Sequence, residues 1–180
     1  MATLPHTVTL AGIKHSGKST LGRRLAERMG YAFYDVDEVI SQKYNTGVRE
    51  LFRSIGEEKF RSLEAEEEKL LALKSENKVI SLGGGAVNSK FFDLALQDIL
   101  GTLVMIDIPD DVAEKRVFAK GVPAYLEKYT DPKAALKEIN DARRSAMREV
   151  CQAVYLSDST LTPNEQAERF FTFLEQKELL

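Results

Sequence analysis

Residues 12–19 read Gly12-Ile13-Lys14-His15-Ser16-Gly17-Lys18-Ser19, a complete phosphate-binding loop of the form G-x-x-x-x-G-K-[ST]. An apolar run from Val8 to Ala11 precedes the loop, and a helical pattern from Leu21 to Met29 follows it. This context matters, because a strand and a tight glycine turn direct backbone N–H groups and a helix N-terminus toward phosphate oxygens. The stretch therefore predicts binding of a nucleoside triphosphate.

Inside this loop, Lys18 is expected to reach the β- and γ-phosphates, and the Ser19 hydroxyl is expected to bind Mg²⁺. The backbone N–H groups of the loop also bind phosphate, so the main chain of His15 counts more than its ring. The sequence thus implies ATP and Mg²⁺ as cofactors. The other nucleotide-binding residues predicted from the motif are Gly12, Ser16, Gly17 and Thr20.

The composition is that of an ordinary globular protein, with 43% apolar and 29% charged residues in a chain of 180. A chain of this length is expected to form one domain, which we assign to residues 1–180. The formal net charge is −3 and no basic block occurs, so binding of nucleic acid is not expected. The chain has a single cysteine, Cys151, which excludes an intramolecular disulfide bond and a cysteine-based metal cluster.

Association with a membrane and export are not expected either. The longest apolar runs are strand-sized, and Met1 to Pro5 lacks the charged and apolar regions of a signal peptide. We therefore expect a cytoplasmic protein that acts on a small molecule as a monomer.

Short apolar runs alternate with helical patterns along the chain. The runs are nearly continuous in apolar residues, which is typical of a parallel sheet that is covered on both faces. Alternation of this kind predicts βαβ units and an α/β fold, a three-layer αβα sandwich with a five-stranded parallel sheet. Strands are predicted at 7–11, 32–34, 78–82, 102–108 and 153–156. Helices are predicted at 18–29, 48–55, 57–75, 88–99, 110–119, 132–151 and 163–178.

Local signals mark several of the helix ends. Gly30 is expected to end the first helix, and Asn88 and Asp110 are expected to cap later ones. Pro132 and Pro163 are suited to first helical turns.

The functional residues are expected at one edge of the sheet, because ligands of a doubly wound sheet gather at the carboxyl ends of the strands. Three features stand at such ends, namely the phosphate loop, the pair Asp35 and Asp37, and the run Gly83-Gly84-Gly85. The segment 120–131 has the weakest pattern and is interpreted as a mobile connection.

Asp35 and Asp37 follow the second predicted strand and are two residues apart, so on an extended backbone their side chains share a face. Beside Mg²⁺ and ATP, one carboxylate would hold a metal-bound water, and the other would orient an acceptor hydroxyl and take its proton. The alternative is a strand that ends in turn-forming aspartates, with Asp37 capping the next helix. The phosphate loop favours the functional interpretation, because perturbed carboxylates gather at such sites.

Arg61 and Glu64 are three residues apart on a predicted helix and can form an ion pair. The carboxylate would hold the guanidinium in place for bidentate recognition of a substrate carboxylate. An exposed salt bridge, worth less than about 1 kcal/mol, explains the pair equally well. The rest of the charged run up to Lys69 is expected to be a solvated helix face.

Gly83, Gly84 and Gly85 directly follow the third predicted strand. Glycines allow the backbone to approach a ligand closely, at a cost in ordering entropy. A hinge or a plain turn is the alternative, but it rarely needs three glycines. Close approach of a ligand is therefore the favoured interpretation.

The motifs occur in the order GxxxxGKST, FYDVD, GVRELF, GEEKFRSLE and VISLGGG. From about residue 8 to residue 86 this order resembles shikimate kinase, and the GE-x-x-FR-x-x-E run with the later GGG is the specific part. The second half of the chain matches in pattern only. The resemblance implies a P-loop nucleoside monophosphate kinase-like fold with a mobile lid at about 118–131. It also implies ATP-dependent phosphorylation of the 3-hydroxyl of shikimate, giving shikimate 3-phosphate in the chorismate pathway.

The resemblance further implies roles for the matching residues on the nucleotide side. Lys18 would stabilise the transferring phosphoryl group, and Ser19 would ligate Mg²⁺ while Asp35 holds that ion through water. Asp37 resembles the acidic residue that hydrogen-bonds the acceptor hydroxyls of shikimate.

On the substrate side, Arg61 resembles the arginine that binds the carboxylate of shikimate, with Glu64 as its orienting partner. Gly84, the middle glycine of its run, would offer backbone contact to the substrate. The pair Arg143-Arg144 resembles the position of a second carboxylate-binding arginine. Arg143 fits better when the count starts from Val150-Cys151, but a shift of one residue stays open.

The lid departs from the family pattern. Members usually carry an Arg-Pro-Leu-Leu stretch whose arginine reaches the phosphates, whereas this chain has Val122-Pro123-Ala124-Tyr125. Lys120 and Arg116 are the candidate replacements, and Arg116 also resembles the arginine that opens the lid and lies over the adenine. In addition, the position of His15 is usually glycine in the family.

Two other functions stay open at this point. One is a related kinase with another hydroxy-acid acceptor such as gluconate, although the histidine-containing acceptor motif expected after the second strand is missing. The other is a nucleotide-binding regulator that kept the fold and lost turnover, which the altered lid suggests.

Overall fold

The computed structural model describes residues 6–180, and Met1 to Pro5 lie outside the described residues together with the sequence features predicted there. Its five strands are β1 (Thr7–Ala11), β2 (Ala32–Asp35), β3 (Lys78–Ser81), β4 (Thr102–Asp107) and β5 (Ala153–Leu156). Its α-helices are α1 (Lys18–Met29), α2 (Val36–Tyr44), α3 (Val48–Ile55), α4 (Glu57–Ala72), α5 (Leu94–Ile99), α6 (Asp110–Phe118), α7 (Pro132–Val150) and α8 (Pro163–Gln176). A 3₁₀ turn, Ala124–Leu126, lies between α6 and α7.

The strands form one parallel sheet in the order β2-β3-β1-β4-β5. On one face, α1 and α8 pack against β1, β3 and β4 through a cluster that includes Leu25 and Phe170. On the other face, α2, α4, α5 and α7 enclose a second cluster around Phe60 and Met147. This arrangement confirms the three-layer αβα sandwich, with both faces of the sheet buried.

Most helix ends agree with the sequence signals. Gly30 ends α1 with a left-handed conformation, and Pro132 and Pro163 lie in the first turns of α7 and α8. The expected cap at Asn88 is wrong, because α5 begins only at Leu94, where the Asp93 side chain accepts from Leu96 N.

Asp110 also fails as a cap, because Pro109 occupies the N-cap position and Asp110 is already in the first turn of α6. Helix α2 was not predicted from the sequence, and it begins directly at the end of β2. Asp35 is the last residue of that strand and caps α2 by accepting from Glu38 N at 3.1 Å.

The position of β1 at the centre of the sheet determines where the site lies. The chain order reverses on its two sides, because β3 and β2 lie to one side while β4 and β5 lie to the other. A crevice opens outside the carboxyl ends of the strands at such a reversal. The phosphate loop after β1, Asp35 and Asp37 at the end of β2, and Gly84 and Gly85 after β3 all line this crevice.

The segment between α6 and α7 covers part of the crevice. Leu126 in its 3₁₀ turn is fully buried among Val117, Ala135 and Leu136. Arg49 on α3 donates to Val122 O, and Arg49 and Arg53 both pair with Glu127. The predicted lid region is therefore joined to the helix that follows α2. In residues 6–180, no helix has the length and apolar character that crossing a bilayer would require.

Candidate active site

A cavity of about 750 Å³ lies at the carboxyl ends of the strands. Seven lysines and arginines line it against four aspartates and glutamates, although the chain as a whole carries a net charge of −3. The excess of basic side chains is therefore concentrated in the cavity, which suits anionic ligands. The basic residues are Lys14, Lys18, Arg49, Arg61, Arg116, Lys120 and Arg143, and the acidic ones are Asp35, Asp37, Glu64 and Asp158.

The turn between β1 and α1 has the backbone of a phosphate-binding loop. His15 and Gly17 have φ values of 63° and 95°, in the left-handed region. Few residues besides glycine adopt this region without strain. His15 nevertheless adopts it, because the turn of the loop requires a left-handed conformation at this position. Helix α1 begins at Lys18 in the cavity wall, so the positive end of its dipole lies there. Its first turn contains no acidic residue that would neutralise this partial charge.

Gly12 and Ser16 lie beneath this wall. A Cβ atom on Gly12 would come within 2.5 Å of Ile106 O and 2.6 Å of Ser16 Oγ, so packing against β4 requires glycine there. The Ser16 hydroxyl is fully buried and has no hydrogen-bond partner within residues 6–180. An unpaired buried hydroxyl costs about 1–3 kcal/mol, and a phosphate oxygen is a partner that would satisfy it.

Lys18 is buried at the base of the loop, where its Nζ donates to Ile13 O at 3.1 Å. Burial lowers the pKa of Lys18 to about 8, although Asp37 and Asp35 act in the opposite direction. A triphosphate would supply the anion that this ammonium group lacks, which fits the predicted role of the residue.

His15 forms the outer part of the loop, and Arg116 on α6 lies against it. Burial and the nearby lysines Lys14, Lys120 and Lys18 lower the pKa of His15 to about 4, so the ring is neutral at pH 7. Arg116 Nη1 donates to His15 O at 3.1 Å and thereby lies against the phosphate loop. Lys120 is exposed at the cavity rim, and Thr20 also lines the cavity.

Ser19 and Asp35 provide oxygen atoms for a divalent cation. The Ser19 hydroxyl donates to the Asp35 carboxylate and lies 3.4 Å from Ser81 Oγ. Mg²⁺ prefers such oxygen ligands together with water and substrate phosphates, so the residues fit the expected ion. The alternative in which Asp37 caps the next helix is wrong, because Asp35 is the cap.

Asp37 lies in the first turn of α2, half-buried in the cavity wall. Burial raises the pKa of this carboxyl group, Asp35 adds to the effect, and the cations Lys18 and Lys14 oppose it. A carboxylate whose proton affinity is raised beside a phosphate loop can accept a proton from an acceptor hydroxyl.

Arg61 and Glu64 form a buried ion pair and not an exposed salt bridge. Arg61 Nη1 lies 2.7 Å from Glu64 Oε2, and the two side chains are 13% and 2% exposed. The outer face of the guanidinium remains at the cavity wall. The pair therefore has the geometry that the functional interpretation requires.

The expectation of a solvated face on α4 is wrong for two residues. Glu67 and Glu68 are 4% and 1% exposed. Glu67 pairs with Lys43 on α2, and Glu68 lies near Glu64, where burial followed by the Glu64 charge raises its pKa well above the usual range. The helix buries these carboxylates because α2 covers the side of α4 that sequence alone left exposed.

Each of the three glycines after β3 has a separate neighbour. A Cβ atom on Gly83 would collide with Glu64 Oε1, and Gly83 is not part of the cavity wall. One on Gly84 would lie 3.0 Å from Lys14 N, against the phosphate loop. Gly84 and Gly85 do line the cavity, so ligand approach is possible at two of the three predicted positions.

Arg61 and Arg143 converge at Gly85. A Cβ atom there would collide with Arg61 Nη2 and lie 3.0 Å from Arg143 Nη2. The Arg143 guanidinium also lies 4.8 Å from the centre of the Tyr125 ring. Burial and the neighbouring Arg61 lower the pKa of Arg143. Two guanidinium groups held at one point of a cavity wall form a site for an anion such as a carboxylate.

Arg144 points away from the cavity. Its Nε lies 2.9 Å from Asp107 Oδ1, its Nη2 donates to Ile108 O at 2.9 Å, and it also pairs with Asp110. Of the two adjacent arginines on α7, Arg143 is therefore the one that lines the cavity, while Arg144 fixes the helix to the end of β4.

Several cavity residues were missed in the sequence. Lys14 was given no role as a variable position of the loop motif, and Arg49 was named only as a letter of the GVRELF motif. Tyr125 lies in the segment with the weakest pattern. The loop between β5 and α8 contributes Ser157 to Ser159, which carry no recognisable motif.

The fold and the cavity define a P-loop kinase of small molecules, because a triphosphate cradle lies beside a carboxylate and a separate anion site. A family model described as "Shikimate kinase" matches residues 14–175. The chain therefore belongs to the shikimate kinase family, whose members use ATP and Mg²⁺.

Individual relatives agree with this assignment. The shikimate kinase of Synechococcus sp. (strain CC9605) is 33% identical over 84% of this chain and 74% of its own length. The structure of the shikimate kinase from Acinetobacter baumannii in complex with shikimate has a TM-score of 0.82 and 25% identity, covering 99% of this chain and 97% of that one. The enzyme from Aquifex aeolicus has a TM-score of 0.77 and 32% identity, with 96% and 98% coverage.

The opposite orientations of the two arginines can be tested by unfolding. Arg144→Ala should lower the free energy of unfolding by about 3 kcal/mol, because it leaves the buried Asp107 carboxylate without its main partner. Arg143→Ala is the matched comparison and should cost at most about 1 kcal/mol, because it abandons no buried acid. Urea denaturation followed by circular dichroism measures both, and equal losses would contradict the assignment.

Proposed function

We propose that this chain transfers the γ-phosphoryl group of ATP to the 3-hydroxyl of shikimate in a Mg²⁺-dependent reaction. The products are ADP and shikimate 3-phosphate, an intermediate on the way to chorismate and the aromatic amino acids. The observation that carries the proposal is the convergence of Arg61 and Arg143 at Gly85, in the same cavity as Asp37 and the phosphate loop. One site thus offers a carboxylate anchor, a hydroxyl partner and a triphosphate cradle.

Two polar groups of the acceptor, its carboxylate and its 3-hydroxyl, would be bound by different residues of the cavity. Its carboxylate would lie on Arg61 and Arg143, with Glu64 holding the first guanidinium in place. Its 3-hydroxyl would donate a hydrogen bond to Asp37, which takes the proton as the new O–P bond forms. Lys18 would neutralise negative charge on the phosphoryl group while the bond to the leaving ADP breaks.

Mg²⁺ would be held at Ser19 and Asp35, where it would neutralise charge on the phosphates. The segment 118–131 would act as a lid, since it already contacts α3 through Glu127 and brings Tyr125 to the arginine site. Exclusion of water by this lid would protect the phosphoryl group from hydrolysis. Monomeric state and location in the cytoplasm stay predictions from the sequence.

The altered lid is the one feature that favours a regulator without turnover, and the missing histidine-containing motif speaks against a gluconate-type acceptor. The lysine, the serine, both aspartates and the arginine pair are all in position in one cavity. These residues support turnover although the lid carries Val122 where relatives usually have an arginine, and the family assignment supports shikimate as the acceptor.

The proposal is tested by measuring ADP release from Mg²⁺·ATP with shikimate, with gluconate and without an acceptor. We expect release that depends on shikimate and a product whose phosphate is on the 3-hydroxyl by ³¹P NMR. Tight ATP binding without such release, or release that depends on gluconate instead, would refute the proposal.

Asp37→Asn should keep the affinity for MgATP and lower kcat by about 10²- to 10⁴-fold, the range for loss of general base catalysis. The amide preserves the shape of the side chain but cannot take the proton. Steady-state kinetics and calorimetric titration with a non-hydrolysable ATP analogue separate the two effects. Asp98→Asn, at an exposed position on α5, is the control. Full activity of the Asp37 variant would remove this residue from the mechanism.

Arg61→Ala should raise the KM for shikimate by about ten- to hundredfold, because a hydrogen-bonded contact between charged groups contributes about 1.5–3 kcal/mol. The KM for MgATP should change little. Lys59→Ala, exposed on the same helix, serves as the matched control and should leave both constants unchanged. If the Arg61 variant weakened both substrates equally, its place in the acceptor site would be contradicted.

A further inference from the structure

The backbone of Lys14 is part of the phosphate loop, whereas its side chain lies on the acceptor side of the cavity. Its main chain packs against Gly84, the glycine that lies between the loop and the arginine site. Its side chain is half-buried and lines the cavity, with Nζ 6.0 Å from the centre of the Tyr125 ring. The residue therefore spans the boundary between the two substrates.

The charges around Lys14 describe the same location. Burial lowers the pKa of its ammonium group, and among the neighbouring charges the attraction of Asp37 is the largest. Repulsion from Arg143, Arg49 and Lys120 follows. The carboxylate that receives the acceptor hydroxyl is thus the single charge that acts most strongly on this ammonium group.

Four other cations of the cavity have hydrogen-bond or ion-pair partners within the protein. Lys18 donates to Ile13 O, Arg61 pairs with Glu64, and Arg116 donates to His15 O. Arg49 is held by Val122 O and Glu127. Among residues 6–180, by contrast, no side chain or carbonyl forms a hydrogen bond or an ion pair with Lys14 Nζ within the cavity.

A half-buried ammonium group that forms no ion pair is poorly stabilised unless a ligand provides an anion in contact with it. Two anions of the proposed reaction would enter this cavity, namely the transferring phosphoryl group and the carboxylate of the acceptor. Arg61 and Arg143 already serve the carboxylate at Gly85, whereas the acceptor side of the phosphoryl group has no other cation assigned to it. Lys120, the other cavity lysine that has no hydrogen-bond or ion-pair partner within residues 6–180, is exposed at the rim.

We infer that Lys14 is a catalytic residue that contacts the phosphoryl group during transfer, from the side of Asp37 and Tyr125. The inference rests on the proposed function. In this step the acceptor oxygen forms a bond to the γ-phosphorus, the bond to the β-phosphate oxygen breaks, and the hydroxyl proton passes to Asp37. Lys14 keeps its own proton and neutralises charge on the equatorial oxygens, where preorganised cations lower the barrier most.

The location beside Tyr125 adds a link to the lid. The ring lies near both Lys14 and Arg143, so closure of the segment 118–131 would press the two cations toward the bound substrates. Lys14 would then be most effective when water is excluded, because charge interactions strengthen in a less polar environment.

The test compares Lys14→Met and Lys14→Gln, which remove the charge at similar length, with Lys14→Arg, which retains it. We expect kcat to fall by about 10²- to 10³-fold in the two neutral variants, the range found when one preorganised donor is removed. The KM values for shikimate and MgATP should stay within about threefold by the same logic, since the contact forms in the transition state. Lys14→Arg should recover at least about tenfold of the loss, because the charge is restored.

Lys115→Met, exposed on α6 and outside the cavity wall, is the matched control and should retain full kcat. A second measurement follows binding of MgADP with aluminium fluoride and shikimate, which mimics the transferring phosphoryl group. The Lys14→Met variant should bind this combination about 10²-fold more weakly in proportion to its kcat, yet bind MgADP alone normally. Thermal unfolding identifies any variant that fails to fold. If one neutral Lys14 variant fails to fold, the kcat of the other one tests the inference.

Several results would overturn the inference. One is a kcat within threefold of the unaltered chain in both neutral variants, and another is a defect confined to the KM for shikimate, which would make Lys14 a carboxylate ligand. A large loss in Lys120→Met with none in Lys14→Met would assign the role to the lid lysine. If the unaltered chain itself shows no release of ADP with shikimate, the proposed function fails first and this inference falls with it.

Discussion

The reversal of the chain between Ala11 and Lys18 is the constraint on which the site depends. A central strand must pass directly into a helix on one face of the sheet, so the intervening residues take left-handed conformations at His15 and Gly17. The same turn presses Gly12 onto β4 and Lys14 onto Gly84. Phosphate binding, the packing of β1 and the position of the acceptor pocket therefore follow from one piece of backbone.

Charge is distributed around this turn by burial and by pairing. The chain has a net charge of −3, yet basic side chains outnumber acidic ones in the cavity wall. Most of these basic side chains form a hydrogen bond or an ion pair within the protein. The adjacent residues Arg143 and Arg144 illustrate the division, because a step of one residue on a helix turns a side chain by about 100°. One arginine binds the buried acid at the end of β4, and the other is left for an external anion.

The sequence predicted the sheet, most helices and the chemistry of the loop, because each depends on local patterns such as G-x-x-x-x-G-K-[ST] and apolar runs. It missed α2, since a helix that starts at the last residue of a strand leaves no loop to signal it. It placed Glu67 and Glu68 in solvent, because the burial of α4 depends on a helix that local patterning did not reveal.

Contacts made across the fold were equally out of reach of local reasoning. The choice between Arg143 and Arg144 required the register of α7 against β4, which the spacing leaves open by one residue. Lys14 and Arg49 occupy unremarkable positions in the sequence, and their charges act on each other and line one cavity only after the chain has folded.

The three glycines after β3 have a consequence for how enzymes of this kind diverge. Gly83 leaves room for Glu64, Gly84 for the main chain of the phosphate loop, and Gly85 for two guanidinium groups. A side chain at any one of them would displace a different part of the site. Single substitutions in this run would thus each damage the site. A lineage that adopted a new acceptor would therefore have to acquire its first substitutions elsewhere in the cavity wall, on α3 or in the lid.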